Sequence, residues 1–129
     1  MIWVFLVFVV LLVVLFLGRY FANRNITQYS VAEVHERLKQ GDAILLDVRT
    51  DSERAAKSIP KSLHIPLHIL SQSANDLKKK HEGKEIICYC HAGTRSVGAA
   101  DLLGKYGIKA ASMKGGISAW RPLEEEKKA

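Results

Sequence analysis

The spacing of polar and apolar positions changes several times along the chain, and each change marks an expected element. From Ile2 to Gly18 every residue is apolar, "IWVFLVFVVLLVVLFLG". No polar face interrupts the run, so it has no side to offer to water at the edge of a small core. As a helix rising about 1.5 Å per residue it reaches roughly 25 Å, and Tyr20, Phe21 and Ala22 extend it past a snorkelling Arg19 towards the thickness of a bilayer's hydrocarbon layer. A transmembrane helix over residues 1–22 is therefore expected, with Trp3 and Tyr20 at the two interfaces. A cleaved secretory signal fits less well, because nothing basic precedes Ile2 and "GRYFAN" offers no small-x-small cleavage site.

After a linker at 23–27 the periods of helix and strand alternate. "SVAEVHERLKQGD" opens with a capping-box pair, Ser30 and Glu33, places Val31, Val34 and Leu38 at helical spacing and stops at Gly41. "AILLDV", Ala43 to Val48, reads as a buried parallel strand, and "SLHIPL" as a short edge strand closed by Pro66. A polar helix over residues 69–80 precedes the strand "EIICYC". A small-residue loop follows, then a helix from Ser96 to Tyr106 that Gly107 terminates, a strand at Ala111 to Met113, the pair Gly115-Gly116 and a short helix containing Trp120. Strands separated by helices, several of them wholly apolar, predict an α/β domain over 28–129 with a parallel sheet covered on both faces.

Composition changes this picture in two places. The 129 residues leave room for one globular domain beyond the apolar run. The formal net charge is +6, and the densest cluster is "KKKHEGK", Lys78 to Lys84. That cluster reads as a solvated helix end, with an anionic-lipid or nucleic-acid patch as the lesser alternative, so no nucleic-acid partner is expected. Arg19 and Arg24 follow the apolar run, whereas only the α-amino group precedes it. The positive-inside rule then predicts a single-pass membrane protein with its soluble domain on the cytoplasmic side. The only cysteines, Cys88 and Cys90, point the same way from one strand and are expected to be free thiols, as in a reducing compartment.

In an open parallel sheet, chemistry collects outside the carboxyl ends of the strands. Asp47 and Arg49 follow one strand and Cys90 another. The loop after Cys90 is His91, Ala92, Gly93 and Thr94, with a helix directly behind it. Amides turned inward by such a loop, together with the helix N-terminus, would lower the cysteine's pKa and hold a negative sulfur or an oxyanion. Arg95 adds a positive charge and a planar donor fork suited to sulfonate-like groups. His91 is open to an acid–base role or to simple exposure, while His35, His64, His68 and His81 read as surface residues. Cys88, inside the strand, reads as structural, with resolution of an oxidised Cys90 as its secondary role. Cys88, Cys90 and His91 lack the spacing and the fourth ligand of a structural zinc site, and no metal or cofactor is expected.

Four motifs in order resemble the single-domain rhodaneses, sulfurtransferases that carry sulfur as a cysteine persulfide. They are "LLDVR" at Leu45 to Arg49, two Ile-Pro pairs at 59–60 and 65–66, "CYCHAGTRS" at Cys88 to Ser96 and "MKGGISAW" at Met113 to Trp120. The resemblance implies a largely parallel five-stranded sheet, Cys90 as the persulfide-bearing nucleophile, and a cradle from His91, Ala92, Gly93, Thr94 and Arg95 around the outer sulfur. It also implies a donor such as thiosulfate and a thiophilic acceptor such as cyanide, a small thiol or a protein cysteine. Asp47 and Arg49 are expected to support the loops through hydrogen bonds and an ion pair, with Glu53 as a further partner. A membrane-tethered sulfur-relay or docking module with little small-molecule turnover is the alternative. Cysteine-loop phosphatases and arsenate reductases place one residue more between cysteine and arginine, which makes them poorer matches. One stretch departs from the family: where an aromatic residue and then "GHIPGA" are usual, this chain has Arg54 and "KSIPKS", which predicts a differently made turn with a more exposed, basic surface.

Overall fold

The computed structural model describes residues 1–24 and 26–121. Helix α1 spans Ile2–Arg24, and its segment Ile2–Tyr20 is exposed and long and apolar enough to cross a membrane by length and composition. The domain that follows runs β1 (Gln28–Tyr29), α2 (Val31–Gln40), β2 (Ala43–Asp47), α3 (Asp51–Ala56) and β3 (Leu63–His64). A 3-10 turn at Leu67–Ile69 leads into α4 (Leu70–Lys80), β4 (Glu85–Tyr89), α5 (Thr94–Lys105), β5 (Ala110–Met113) and α6 (Gly116–Ala119). The five strands form one sheet in the order β1-β5-β4-β2-β3, and every pairing is parallel.

The sheet buries both faces because its central strands alternate their side chains between two cores. Leu46, Val48, Ile86, Cys88 and Cys90 pack with Leu70, Leu77, Ala99 and Leu103 of α4 and α5. Leu45, Ile87, Tyr89 and Met113 pack on the other side with Val34, Ile59 and Ile117. Leu46, Ile86 and Ile87 are fully buried, each contributing about 1.5–3 kcal/mol of transfer free energy.

Several expectations change in detail. β1 has two residues, too few to carry a pattern, and it is held because the Ser112 and Lys114 amides donate to the carbonyls of Thr27 and Tyr29. α3 has no buried residue and so no apolar stripe to read; a reciprocal capping box between Thr50 and Glu53 forms it. At α2 only half of that device is present: the Ser30 hydroxyl accepts from the Glu33 amide at 3.2 Å, while the Glu33 carboxylate accepts from the Ser30 hydroxyl. α5 begins at Thr94, two residues before the expected Ser96. Trp120 lies just past α6, and His35 is not simply at the surface: its ring meets the Trp120 ring at 4.2 Å, tilted by 33°.

The unusual stretch meets expectation in part, since Lys57 and Lys61 are exposed and basic. Its Lys61 has φ 66°, the left-handed conformation that a glycine would adopt without strain. Lys57, by contrast, is extended, so no glycine is needed there. Arg54 does not add exposed basic surface: it turns inward and bonds Ser62 and Tyr89.

Candidate active site

Cys90 is delivered by β4, the strand between β2 and β5. The strand's alternation sends Cys88 and Cys90 into the same core, both as free thiols. Gly93, with φ 104°, then turns the chain into α5 in a conformation that other residues rarely adopt. Its amide donates to Cys90 Sγ at 3.0 Å. The Ser96 hydroxyl lies 3.5 Å from the same sulfur, where it accepts from a thiol and can turn to donate to a thiolate. Ser96 is held there by the Gly93 carbonyl at 3.0 Å and by the Ser112 hydroxyl at 2.7 Å.

These donors oppose a desolvation cost. Burial pushes the Cys90 thiol up, but hydrogen bonds from the Ser96 hydroxyl and from the amides of Ser96, Gly93 and Ala92 outweigh it and hold the thiol below its ordinary range. Cys88 has no such donors. Burial, reinforced by the neighbouring Cys90 charge, pushes its thiol far up.

The loop's carbonyls are drawn away from the sulfur by α6. Ile117 and Ser118 donate their amides to the carbonyls of Cys90, at 2.8 Å, and His91, at 3.2 Å. Gly116, φ 58°, lies so close that a Cβ there would overlap both carbonyl oxygens. A Cβ on Gly93 would stand 3.2 Å from the Gly115 nitrogen. The two glycine turns thus press together, leaving the loop's amides for the sulfur.

A buried polar network joins the ends of β2 and β4 to the stretch 54–64. Asp47 is fully buried and accepts from the Arg49 amide at 2.9 Å, from Arg49 Nε at 3.0 Å and Nη2 at 2.9 Å, and from the Tyr89 hydroxyl at 3.1 Å. Burial raises its carboxyl, and the Arg49 hydrogen bonds and charge with the Tyr89 bond bring it below the usual range. Arg49 also donates to the Lys57 carbonyl at 2.6 Å, while His64 bonds the Arg49 carbonyl at 2.9 Å. The Tyr89 hydroxyl touches Ser62 at 2.9 Å and accepts from the Ile59 amide at 3.2 Å. Asp47 and Arg49 therefore pair with each other, and Glu53 pairs elsewhere.

That partner is Arg95, whose Nη1 and Nη2 donate to the two Glu53 carboxylate oxygens at 2.7 and 2.8 Å. Glu53 simultaneously accepts from the Thr50 amide and hydroxyl. The Arg95 fork, with the Thr50 bonds and despite burial, lowers the Glu53 carboxyl from 4.5 to about 2. Arg95 borders a depression of about 310 Å³ lined also by Val48, Thr50, Pro66, Leu67 and His68. His91, Ala92 and Thr94 are exposed at the loop's rim.

The structure joins Cys90 to Gly93 and Asp47 to Arg49, sets Arg95 against Glu53, and places His91 with no hydrogen bond to the sulfur. Sequence reading missed Ser96 and Ser112 as sulfur supports, and Tyr89, Ser62, His64 and Arg54 as network members. The T-x-x-E spacing of Thr50 and Glu53 was a usable signal for α3; the side-chain network has none, because its members lie up to 42 residues apart. Among the described residues no cluster of metal-ligating side chains occurs.

Comparison with known proteins places this geometry. The rhodanese-like domain model matches residues 30–122. The thiosulfate sulfurtransferase GlpE of Pseudoalteromonas translucida is 33% identical over 101 residues, which is 76% of this chain and 91% of that protein. A sulfurtransferase of Allochromatium vinosum is 32% identical over 80 residues, covering 61% of this chain and 72% of its own. The solved human single-domain sulfurtransferase TSTD1 superposes with a TM-score of 0.64 at 26% identity, covering 74% of this chain and 94% of that one.

Proposed function

This chain belongs to the rhodanese-like domain family, and on that premise we propose that it transfers sulfane sulfur as a persulfide on Cys90. Sulfur transfer is the general activity that its sulfurtransferase relatives support. The single observation that carries the finer reading is the Gly93 amide 3.0 Å from a buried Cys90 sulfur.

In the proposed first step the Cys90 thiolate attacks the outer sulfur of thiosulfate. A new S–S bond forms at Cys90, the bond to the inner sulfur breaks, and its electron pair leaves with sulfite. The charge now sits on the outer sulfur of the persulfide, where the amides of Ala92, Gly93 and Ser96 and the start of α5 favour it. In the second step an acceptor thiolate or cyanide attacks that outer sulfur, and Cys90 leaves as the thiolate it began as. His91, Ala92, Gly93, Thr94 and Arg95 form the cradle in this reading. Asp47 and Arg49 brace it from below.

Residues 2–22 serve as the membrane anchor, 23–27 as a linker and 28–129 as the catalytic domain on the cytoplasmic side. The unbroken exposed apolar surface of α1 supports this reading. One observation favours a sulfur-relay role alongside small-donor turnover: two Arg95 donors are already committed to Glu53, which weakens its hold on a free dianion. The decisive experiment is intact-mass measurement of the full chain in detergent after brief exposure to thiosulfate, with sulfite followed in parallel. The mass of one sulfur atom should be gained, sulfite released, and both lost in Cys90→Ser. No gain with thiosulfate, polysulfide or a protein persulfide overturns the proposal.

A further inference from the structure

The parallel sheet has two unlike ends. Its C-terminal end holds the Cys90 loop, and its N-terminal end receives the last turns of α2, α4 and α5. Those turns carry Arg37 and Lys39, Lys78 to Lys80, and Lys105 respectively. Basic residues are favoured at helix C-termini, and a parallel α/β sheet returns each such terminus to the same edge. Lys84 and Lys109 open the following strands at that edge. Lys39, Lys79, Lys80 and Lys84 are exposed and have no ion pair among the described residues. The acids at this end are largely engaged: Asp101 lies 3.6 Å from Lys105, and Glu85 accepts from the Tyr29 hydroxyl at 3.0 Å with Lys109 at 3.9 Å. Asp42 and Glu82 stay exposed.

Two of the turns enclose a cleft of about 250 Å³, with Lys78, His81, Lys84 and Lys109 among its walls, one carboxylate, Glu82, beside them, and buried Leu77 and Ile86 beneath. It lies at the end of β4 opposite Cys90. The chain approaches the sheet from this same side, since β1 is parallel to the rest, and joins it with Gln28 level with Ser112, two residues beyond the start of β5. α1 ends at Arg24, so at most about 14 Å of extended chain separates its last turn from β1.

We propose that the basic end of the sheet docks on anionic lipid headgroups of the bilayer that α1 enters, with the cleft receiving a headgroup phosphate and the Cys90 loop facing away from the membrane. The proposal rests on reading α1 as an anchor. The linker is too short to let the domain leave the surface, and the residues it holds there are those whose charge suits an anionic leaflet. The lysine cluster, which sequence alone reads as a solvated helix end, thereby acquires a partner.

The test is hydrogen exchange of the full chain in lipid nanodiscs, with phosphatidylglycerol-rich discs compared against pure phosphatidylcholine. Exchange at residues 78–84 and 105–109 should slow roughly tenfold in the anionic discs, while residues 91–95 stay unchanged. The protection should vanish in 1 M salt, where the screening length falls to about 3 Å, and in the double variant Lys79→Glu/Lys80→Glu. Equal exchange in both discs, with the chain resisting alkaline extraction, overturns the docking and leaves the anchor intact. Extraction of the chain by alkali overturns the anchor and the docking with it. Protection of the same turns by single-stranded RNA in neutral discs, without an anionic-lipid effect, assigns the surface to nucleic acid and also overturns the proposal.

Discussion

Cys88 and Cys90 leave the same strand in the same direction, yet the interior of β4 and the loop that follows it make opposite demands on sulfur. Inside the strand Cys88 is paired with Leu46 of β2 and Ser112 of β5, and burial, reinforced by the neighbouring Cys90 charge, acts on its thiol. One residue past the strand the ladder ends, and Gly93, Ser96 and the start of α5 turn free donors towards Cys90. Neither side chain reaches water, 0% and 1% exposed, but Cys88 lies deep in the core while Cys90 stands at its margin. The supply of donors and the shallower burial act together to separate a reactive thiol from a structural one.

The largest break in this comparison is Cys90→Ser. Iodoacetamide should label one thiol in the native chain and none in the variant, because Cys88 stays protonated and enclosed; labelling at Cys88 in the native fold would erase the contrast. Gly116→Ala comes next. Its Cβ would push into the carbonyls of Cys90 and His91 at a positive φ, costing about 2–4 kcal/mol of stability, and persulfide formation should fall well beyond tenfold. Thermal unfolding and the rate of sulfite release read the two effects together.

Ser96→Ala isolates the donor argument. Because the donors depress the Cys90 pKa, the thiolate persists as pH falls until it is protonated at that lowered value; removing one donor moves the alkylation midpoint upward. Near neutrality alkylation then slows. A midpoint that stays in place shows that the amides alone set it. Glu53→Gln should have a smaller, few-fold effect on turnover, in keeping with a partly exposed ion pair. Its signature is the pH profile of stability. The lowered Glu53 pKa gives the native fold a stabilisation that is complete above about 4.5 and lost as pH falls towards about 2, and the variant should lack that acid-dependent component. Smallest of all, Cys88→Ala should leave the persulfide yield unchanged and cost only its buried contacts, about 1 kcal/mol. Loss of persulfide in that variant would give the interior thiol a role in the chemistry.

Much of this was legible in the chain. Long apolar runs announced α1, β2 and β4, and the strand-to-loop change at Cys90 marked the reactive end. β1 was not legible, because two residues carry no period; α3, without a buried face and so without a stripe, left only the Thr50–Glu53 spacing as its signal. The Asp47–Tyr89–Ser62–Arg54 network escaped because it is made by register across strands, pairing Asp47 with Tyr89, which no local pattern reports. Replacement of the family's glycines pointed to a changed turn; Lys61 instead keeps the glycine-like conformation and bears its strain.

The bonds from Ile117 and Ser118 to the Cys90 and His91 carbonyls also fix an order in time. A chain growing at about 5–20 residues per second emits Cys90 well before the residues that turn its loop's carbonyls outward. Until β5 and α6 have followed, the sulfur lacks Ser112 behind Ser96 and the clamp above the loop. Until then the nascent thiol is an ordinary cysteine, and its lowered pKa follows only once β5 and α6 have closed on the loop.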